Sequence, residues 1–100
     1  MVAQIDIPRA AIEAFCHKWR VREFCLFGSV LREDFSPHSD VDVLVEFDRD
    51  APWSLMDVVD MIEELKQIFG REVDLVEKSA IRNPFRRHSI LNHREVIYAA

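Results

Sequence analysis

Residues 28–42 hold most of the chemistry in this chain. Gly28-Ser29 is followed, after ten intervening residues, by Asp40-Val41-Asp42, and the apolar run Val43-Leu44-Val45 continues from the second aspartate. A glycine lets the backbone turn sharply and lets an anion come close. The N–H groups that follow it, at the start of a helical turn, can donate to phosphate oxygens. Ser29 adds a hydroxyl, and Arg32, one turn further on, offers a guanidinium fork to the same oxygens. Two aspartates two apart on a strand project to one side, with Cα atoms about 6.6 Å apart at ~3.3 Å per residue. Both can then converge on a metal pair held ~3.5–4 Å apart. Like charges this close are unfavourable without a cation between them. Hard oxygen ligands suit Mg²⁺, which shares its shell with water and substrate phosphate. These are the parts needed to hold a nucleoside triphosphate and its metal ions.

A third carboxylate is available at Asp74, within Glu72-Val73-Asp74-Leu75-Val76. If that strand lies beside 40–47, Asp74 completes a triad and deprotonates or orients an attacking hydroxyl. Glu46 shares the alternation of Asp40 and Asp42 but lies beyond Leu44 and is expected to stay clear of the site. A lone Gly-Ser or a lone Asp-x-Asp is common and says little. Here the acids interrupt a strand that otherwise reads as core, where an unpaired carboxylate is costly. Such a local conflict marks a functional site.

The elements that must position these residues follow from periodicity. Pro8 suits a helix start, and Ile12, Phe15, Cys16 and Trp19 form one helical face, so a helix is expected over roughly 8–19. Residues 22–27 read as a strand ending at Gly28. Ser29 to Asp34 is expected to open a short helix, and Phe35 to Ser39 to be loop. From Asp40 to Phe47 the pattern alternates, Val41, Val43, Val45 and Phe47 on one face, Asp40, Asp42, Leu44 and Glu46 on the other. Ser54 is a good N-cap with Asp57 at N3. The helix after it should pack through Leu55, Val58, Val59, Ile62, Leu65 and Phe69 and close at Gly70. Trp53 is read as a hydrophobic staple and Met56 and Met61 as packing residues. Residues 72–76 form a further strand. Asn83-Pro84 begins a last helix, roughly 84–92, anchored by Phe85 and Leu91, and 95–98 is a final strand or a frayed end. Elements in this order predict an α+β two-layer fold, a small mixed sheet flanked by helices.

One hundred residues make one small domain, expected to span 1–100. The net charge of −5 speaks against direct nucleic-acid binding. The charge is uneven: residues 78–100 carry five basic groups and one acid, hence +4, which leaves −9 on residues 1–77. In that basic segment Arg82, Arg86 and Arg87 could meet triphosphate or an acidic partner, or form a solvated face. No apolar run approaches the ~20 residues of a membrane helix, and no secretory pattern opens the chain, so a cytoplasmic location is expected. Cys16 and Cys25 lie in apolar contexts and read as reduced core thiols. His17, His38, His88 and His93 show no metal-ligand spacing.

Leu26-Phe27-Gly28-Ser29, ten residues, then Asp40-Val41-Asp42-Val43-Leu44-Val45, with Asp74 downstream, resembles the minimal nucleotidyltransferase (MNT) family of the DNA-polymerase-β-like nucleotidyltransferase superfamily. The resemblance covers nearly the whole chain. It implies the same α+β nucleotidyltransferase fold and a Mg²⁺-dependent transfer of a nucleoside monophosphate from ATP or another triphosphate, with release of pyrophosphate. It implies that Asp40 and Asp42 bind Mg²⁺ in a two-metal site, that Asp74 is the third catalytic acid and metal ligand, and that Gly28 and Ser29 hold the triphosphate. Many members are similar to antitoxins paired with a HEPN-domain toxin. Some modify a toxin tyrosine by AMP transfer and others act by binding. Many relatives carry Arg-Gly after the Gly-Ser turn, whereas here Arg32 precedes Glu33, a departure at the third substrate-binding candidate. Three readings compete: a protein adenylyltransferase, an antitoxin that neutralises by binding, and a small-molecule nucleotidyltransferase. The chain is too small to offer an obvious acceptor pocket, which favours the first two.

Overall fold

The structure, a computed structural model, describes residues 3–100. Helix α1 (Arg9–Trp19) follows Pro8, which occupies the N-cap, and buries Ile12, Phe15, Cys16 and Trp19 as their spacing requires. It stops at Arg20, which adopts the left-handed conformation and returns its N–H to the Cys16 carbonyl. Strand β1 (Val21–Phe27) follows directly and runs into a single 3-10 turn, Gly28–Leu31. The helix expected over 29–34 is therefore only this turn. Arg32 is already extended, at φ −105° and ψ 151°, and cannot carry the helix on.

Strand β2 (Val41–Phe47) is followed by helix α2 (Leu55–Phe69), which opens with a full capping box. The Asp57 N–H donates to the Ser54 hydroxyl, and the Ser54 N–H donates to the Asp57 carboxylate at 2.9 Å. Gly70, at φ 69°, terminates the helix. Strand β3 (Val73–Glu77) begins one residue later than its sequence suggests, and a 3-10 turn, Lys78–Ala80, leads away from it. Helix α3 (Pro84–Asn92) has Pro84 in its first turn and Asn83 as cap. The Asn83 side chain accepts from the N–H groups of Phe85 and Arg86 at 2.9 and 3.1 Å. The end of the chain is strand β4 (Arg94–Ala99), paired with β1.

The sheet order is β3-β2-β1-β4. β1 is antiparallel to both its neighbours, and β2 and β3 are parallel because α2 carries the chain back between them. The fold is thus α+β, with three helices on a mixed four-stranded sheet. One face packs Phe24, Leu26, Val41, Val43 and Val45 against α1 and α2, through Ile12, Phe15, Met61 and Leu65. The other face packs Cys25, Phe27 and Leu44 against Ile81 and Ile90.

Two packing expectations are corrected. Phe85 is 85% exposed, and α3 is held by Ile90, with Leu91 partly buried. The small apolar cluster on this face is filled by Ile81, Ile90 and Leu91, and Phe85 is not part of it. On α2 the buried line runs through Met61 and Leu65, leaving Leu55 79%, Met56 69% and Val59 43% exposed. Of the stripe expected, Leu65 is buried and Val58, Ile62 and Phe69 are half-buried, while its first residue Leu55 and Val59 face outward; Met61 packs and Met56 does not. Trp53 stands edge-on to Trp19, centroids 5.1 Å apart, and donates its indole N–H to the Trp19 carbonyl, so it ties the start of α2 to α1. Trp19 in turn donates to Glu64 of α2, which also pairs with Lys18.

Cys16 and Cys25 are free and buried. Burial first, and then the charge of Glu13 or Glu23 respectively, pushes each thiol up to about 12, so neither is a nucleophile at neutral pH. Among the described residues no helix is long and apolar enough to cross a membrane.

Candidate active site

The site forms where β1 ends and where β2 and β3 begin. Phe27, the last residue of β1, is the antiparallel partner of Asp42, so the turn that follows falls directly against that aspartate. Gly28 sits at φ 72°, a conformation open to glycine. A Cβ there would collide with the Asp42 carboxylate and stand 3.2 Å from its carboxyl carbon. Positive φ and close approach both disfavour a side chain at this position, since a Cβ would be strained and would have to displace the Asp42 carboxylate. The backbone N–H of Ser29 donates to the Asp42 carboxylate.

Asp42 is half-buried, and its carboxyl is raised above the ordinary value of 3.8 by burial first, then by the charge of Asp74 and then of Asp40. The Ser29 N–H and the Arg32 guanidinium pull it partly back. Asp74 pairs with Asp42 across the parallel β2–β3 ladder and so lies on the same face of the sheet. Its side chain is exposed. Asp40 precedes β2 rather than lying in it, because the ladder begins with the Val41 N–H donating to the Glu72 carbonyl at 3.0 Å. Strict alternation therefore does not govern Asp40, which is exposed at the mouth of the strand. Arg32 is also exposed; its Nε lies 3.4 Å from Asp34, while its charge still reaches Asp42. Glu46 is elsewhere, paired with Lys78 at 3.3 Å beyond the middle of the strands. Arg87 donates to the Lys78 carbonyl, and Arg82 and Arg86 are exposed.

Among the described residues no three acids, histidines or cysteines stand in a ready-made metal constellation. The donor chemistry still fits a hard divalent cation. Asp42 is held with a second acid across the ladder and a third two residues away, and their mutual repulsion is the condition a cation relieves.

Sequence reasoning missed two contributors. Arg71 lies over the ring of Phe35, 4.6 Å from its centroid, and donates to the carbonyls of Ser36 at 3.2 Å and Ser39 at 3.3 Å. It braces the loop that delivers Asp40. The signal available was its place between Gly70 and a strand parallel to β2, opposite the 35–39 loop. The second contributor is the C-terminal end of α3. With Phe27, Gly28, Leu31 and Arg32, residues Ser89, Ile90 and His93 line a cleft of about 390 Å³ beside the Gly28 turn.

The glycine turn at Gly28 stands against Asp42 near the start of a mixed sheet, with Asp74 in register beside it. The chain belongs to the nucleotidyltransferase domain family, matched over residues 9–97, and within it to the minimal nucleotidyltransferases. A relative named protein adenylyltransferase MntA, from Thermococcus cleftensis, is 37% identical over 81 residues, which is 81% of this chain and 77% of that protein. A chain of a toxin–antitoxin crystal structure with AMP-PNP shares the fold at a TM-score of 0.75 and 14% identity, covering 94% of this chain and 75% of its own. A chain from the tri-AMPylated Shewanella oneidensis HEPN toxin in complex with MNT antitoxin does so at 0.66 and 14%, covering 92% and 70%.

Proposed function

We propose that this protein is a Mg²⁺-dependent protein adenylyltransferase that moves AMP from ATP to a tyrosine hydroxyl of a HEPN-domain toxin, and so acts as the antitoxin of a toxin–antitoxin pair. The observation that carries the reading is the contact of Gly28 with Asp42, which leaves an anion-sized turn beside a carboxylate burdened by its neighbours. The relative named as a protein adenylyltransferase and the fold shared with toxin–antitoxin structures support the acceptor class.

In this reading the N–H groups of the Gly28–Leu31 turn other than that of Ser29, which Asp42 takes, bind the triphosphate together with the Ser29 hydroxyl, and Arg32 screens its outer oxygens. Asp40, Asp42 and Asp74 would hold Mg²⁺, which when bound neutralises the phosphate oxygens and the charge that develops on them. Asp74, exposed on the edge strand, orients the acceptor hydroxyl and takes its proton. The hydroxyl oxygen bonds to the α-phosphorus, the bond from that phosphorus to the bridging oxygen breaks, and pyrophosphate leaves.

The fold shared with chains of toxin–antitoxin crystal structures is equally compatible with a second reading, neutralisation by binding alone. One experiment separates the two. The protein is incubated with ATP, Mg²⁺ and a HEPN toxin encoded beside it, and the toxin is weighed by mass spectrometry. Adenylyltransfer predicts added AMP that disappears with Asp42→Ala, together with loss of protection. An unchanged mass with full protection by Asp42→Ala overturns it in favour of binding.

A further inference from the structure

We infer that the cleft at the C-terminal end of α3 receives the base of the nucleotide and that His93 reads it as a 6-aminopurine; this rests on the nucleotidyltransferase reading above. Gly28 belongs to both the phosphate turn and the wall of this cleft, so a nucleotide whose phosphates sit at the turn has the cleft beside it. The volume, about 390 Å³, is in the range of small-ligand pockets. Phe27, Leu31 and Ile90 make apolar walls suited to a flat heterocycle, and Arg32, which also lines the cleft, is the cation left there for phosphate. The C-terminal end of a helix carries partial negative charge, which repels phosphate and favours hydrogen-bond donors.

The discriminating group follows from one hydrogen bond. His93 Nδ1 lies 2.9 Å from the Ser89 carbonyl oxygen. A carbonyl only accepts, so Nδ1 carries the proton, and in the neutral ring Nε2 is then a pure acceptor. An exocyclic amine at the purine 6-position donates to it. A 6-oxo group sets lone pair against lone pair and leaves both unsatisfied. The Ser89 hydroxyl can donate or accept and so does not discriminate. Adenine is therefore preferred over hypoxanthine and guanine by a single residue that sequence spacing did not mark.

Calorimetric titration of ATP, ITP and inorganic tripolyphosphate, each with Mg²⁺, tests this on the wild type, His93→Ala and Asn92→Ala. Asn92 donates to the His88 carbonyl at 2.7 Å in the same turn but does not line the cleft, so it controls for fraying of α3. The wild type should bind ATP about three- to tenfold more tightly than ITP, the worth of one partly exposed hydrogen bond. His93→Ala should abolish that preference and leave tripolyphosphate affinity unchanged, while Asn92→Ala keeps it. A preference absent from the wild type, surviving His93→Ala, or lost equally in Asn92→Ala overturns the role of His93. Failure of the wild type to bind tripolyphosphate or any nucleotide overturns instead the function on which it rests.

Discussion

The sheet face under α1 and α2 and the face under α3 differ in how they use the same strands. On the first, Phe24, Leu26, Val41, Val43 and Val45 meet two helices and a ring of further side chains from Ile12 to Val73. On the second, Cys25, Phe27 and Leu44 meet only Ile81 and Ile90 among the described residues that are buried. Residues that alternate along one strand thus serve opposite ends: Val41 and Val43 hold the fold, and Asp42 between them faces the thin side. A short, nine-residue α3 leaves room there for the acids and the cleft. A small chain obtains a site by underpacking one layer while the other supplies the rigidity.

This contrast can be broken by substitution. The largest expected effect is Asp42→Asn, which should cut AMP transfer by at least ~10²–10³-fold, measured as toxin-bound AMP per unit time, with the protein still folded. Next is stability. Leu65→Ala, on the thick side, should cost toward the upper part of the ~2–5 kcal/mol range for buried Leu truncations, and Ile90→Ala less. Urea denaturation measures both, and an Ile90→Ala penalty exceeding that of Leu65→Ala would refute the layer contrast. Gly28→Ala should lose about 1–2 kcal/mol from the positive φ alone, and more from the collision with Asp42, with weakened tripolyphosphate binding in the same titrations. Arg71→Ala should lower transfer about threefold to tenfold, the worth of one or two part-exposed hydrogen bonds, through looser placement of Asp40; an unchanged rate would remove Arg71 from the account.

The smallest effect concerns pH. Asp42 titrates in the folded protein above its ordinary value of 3.8. The native state therefore holds this proton more tightly than the unfolded chain does, and the ionised carboxylate is a net cost to folding above the raised value. As pH falls through that value toward 3.8 the cost disappears. Without metal, Asp42→Asn should melt at a higher temperature than wild type near neutrality, and the gap should close on acidification. A gap that widens in acid contradicts the direction assigned to Asp42.

Much of the scaffold was legible because local chemistry and tertiary demand agree. The Ile12–Trp19 stripe, the Ser54–Asp57 box, the Asn83-Pro84 start and Gly70 each specify an element boundary by a physical rule that the fold obeys. What escaped depends on partners distant in sequence. Periodicity cannot say which of Leu55, Val59, Met61 or Leu65 faces the sheet when apolar residues surround most of a helix. Phe85 is apolar, yet nothing lies opposite it. At the site, Gly28 and the acids stand out by type, and the same-face relation of Asp42 and Asp74 needed only that their strands pair. Arg71 and His93 act through backbone carbonyls and a cleft between elements, which no spacing along the chain encodes.

The pairing of Asp42 with Asp74 has a mechanical side. β3 is the outermost strand of the sheet, joined to the rest along one edge only, and outer strands are the first to peel in local opening. A cation shared by the two carboxylates would rivet that strand to its inner neighbour across the ladder. Loading the site would then be visible far from any chemistry, as slowed amide exchange along Val73–Glu77, and emptying it would return the strand to its own faster breathing.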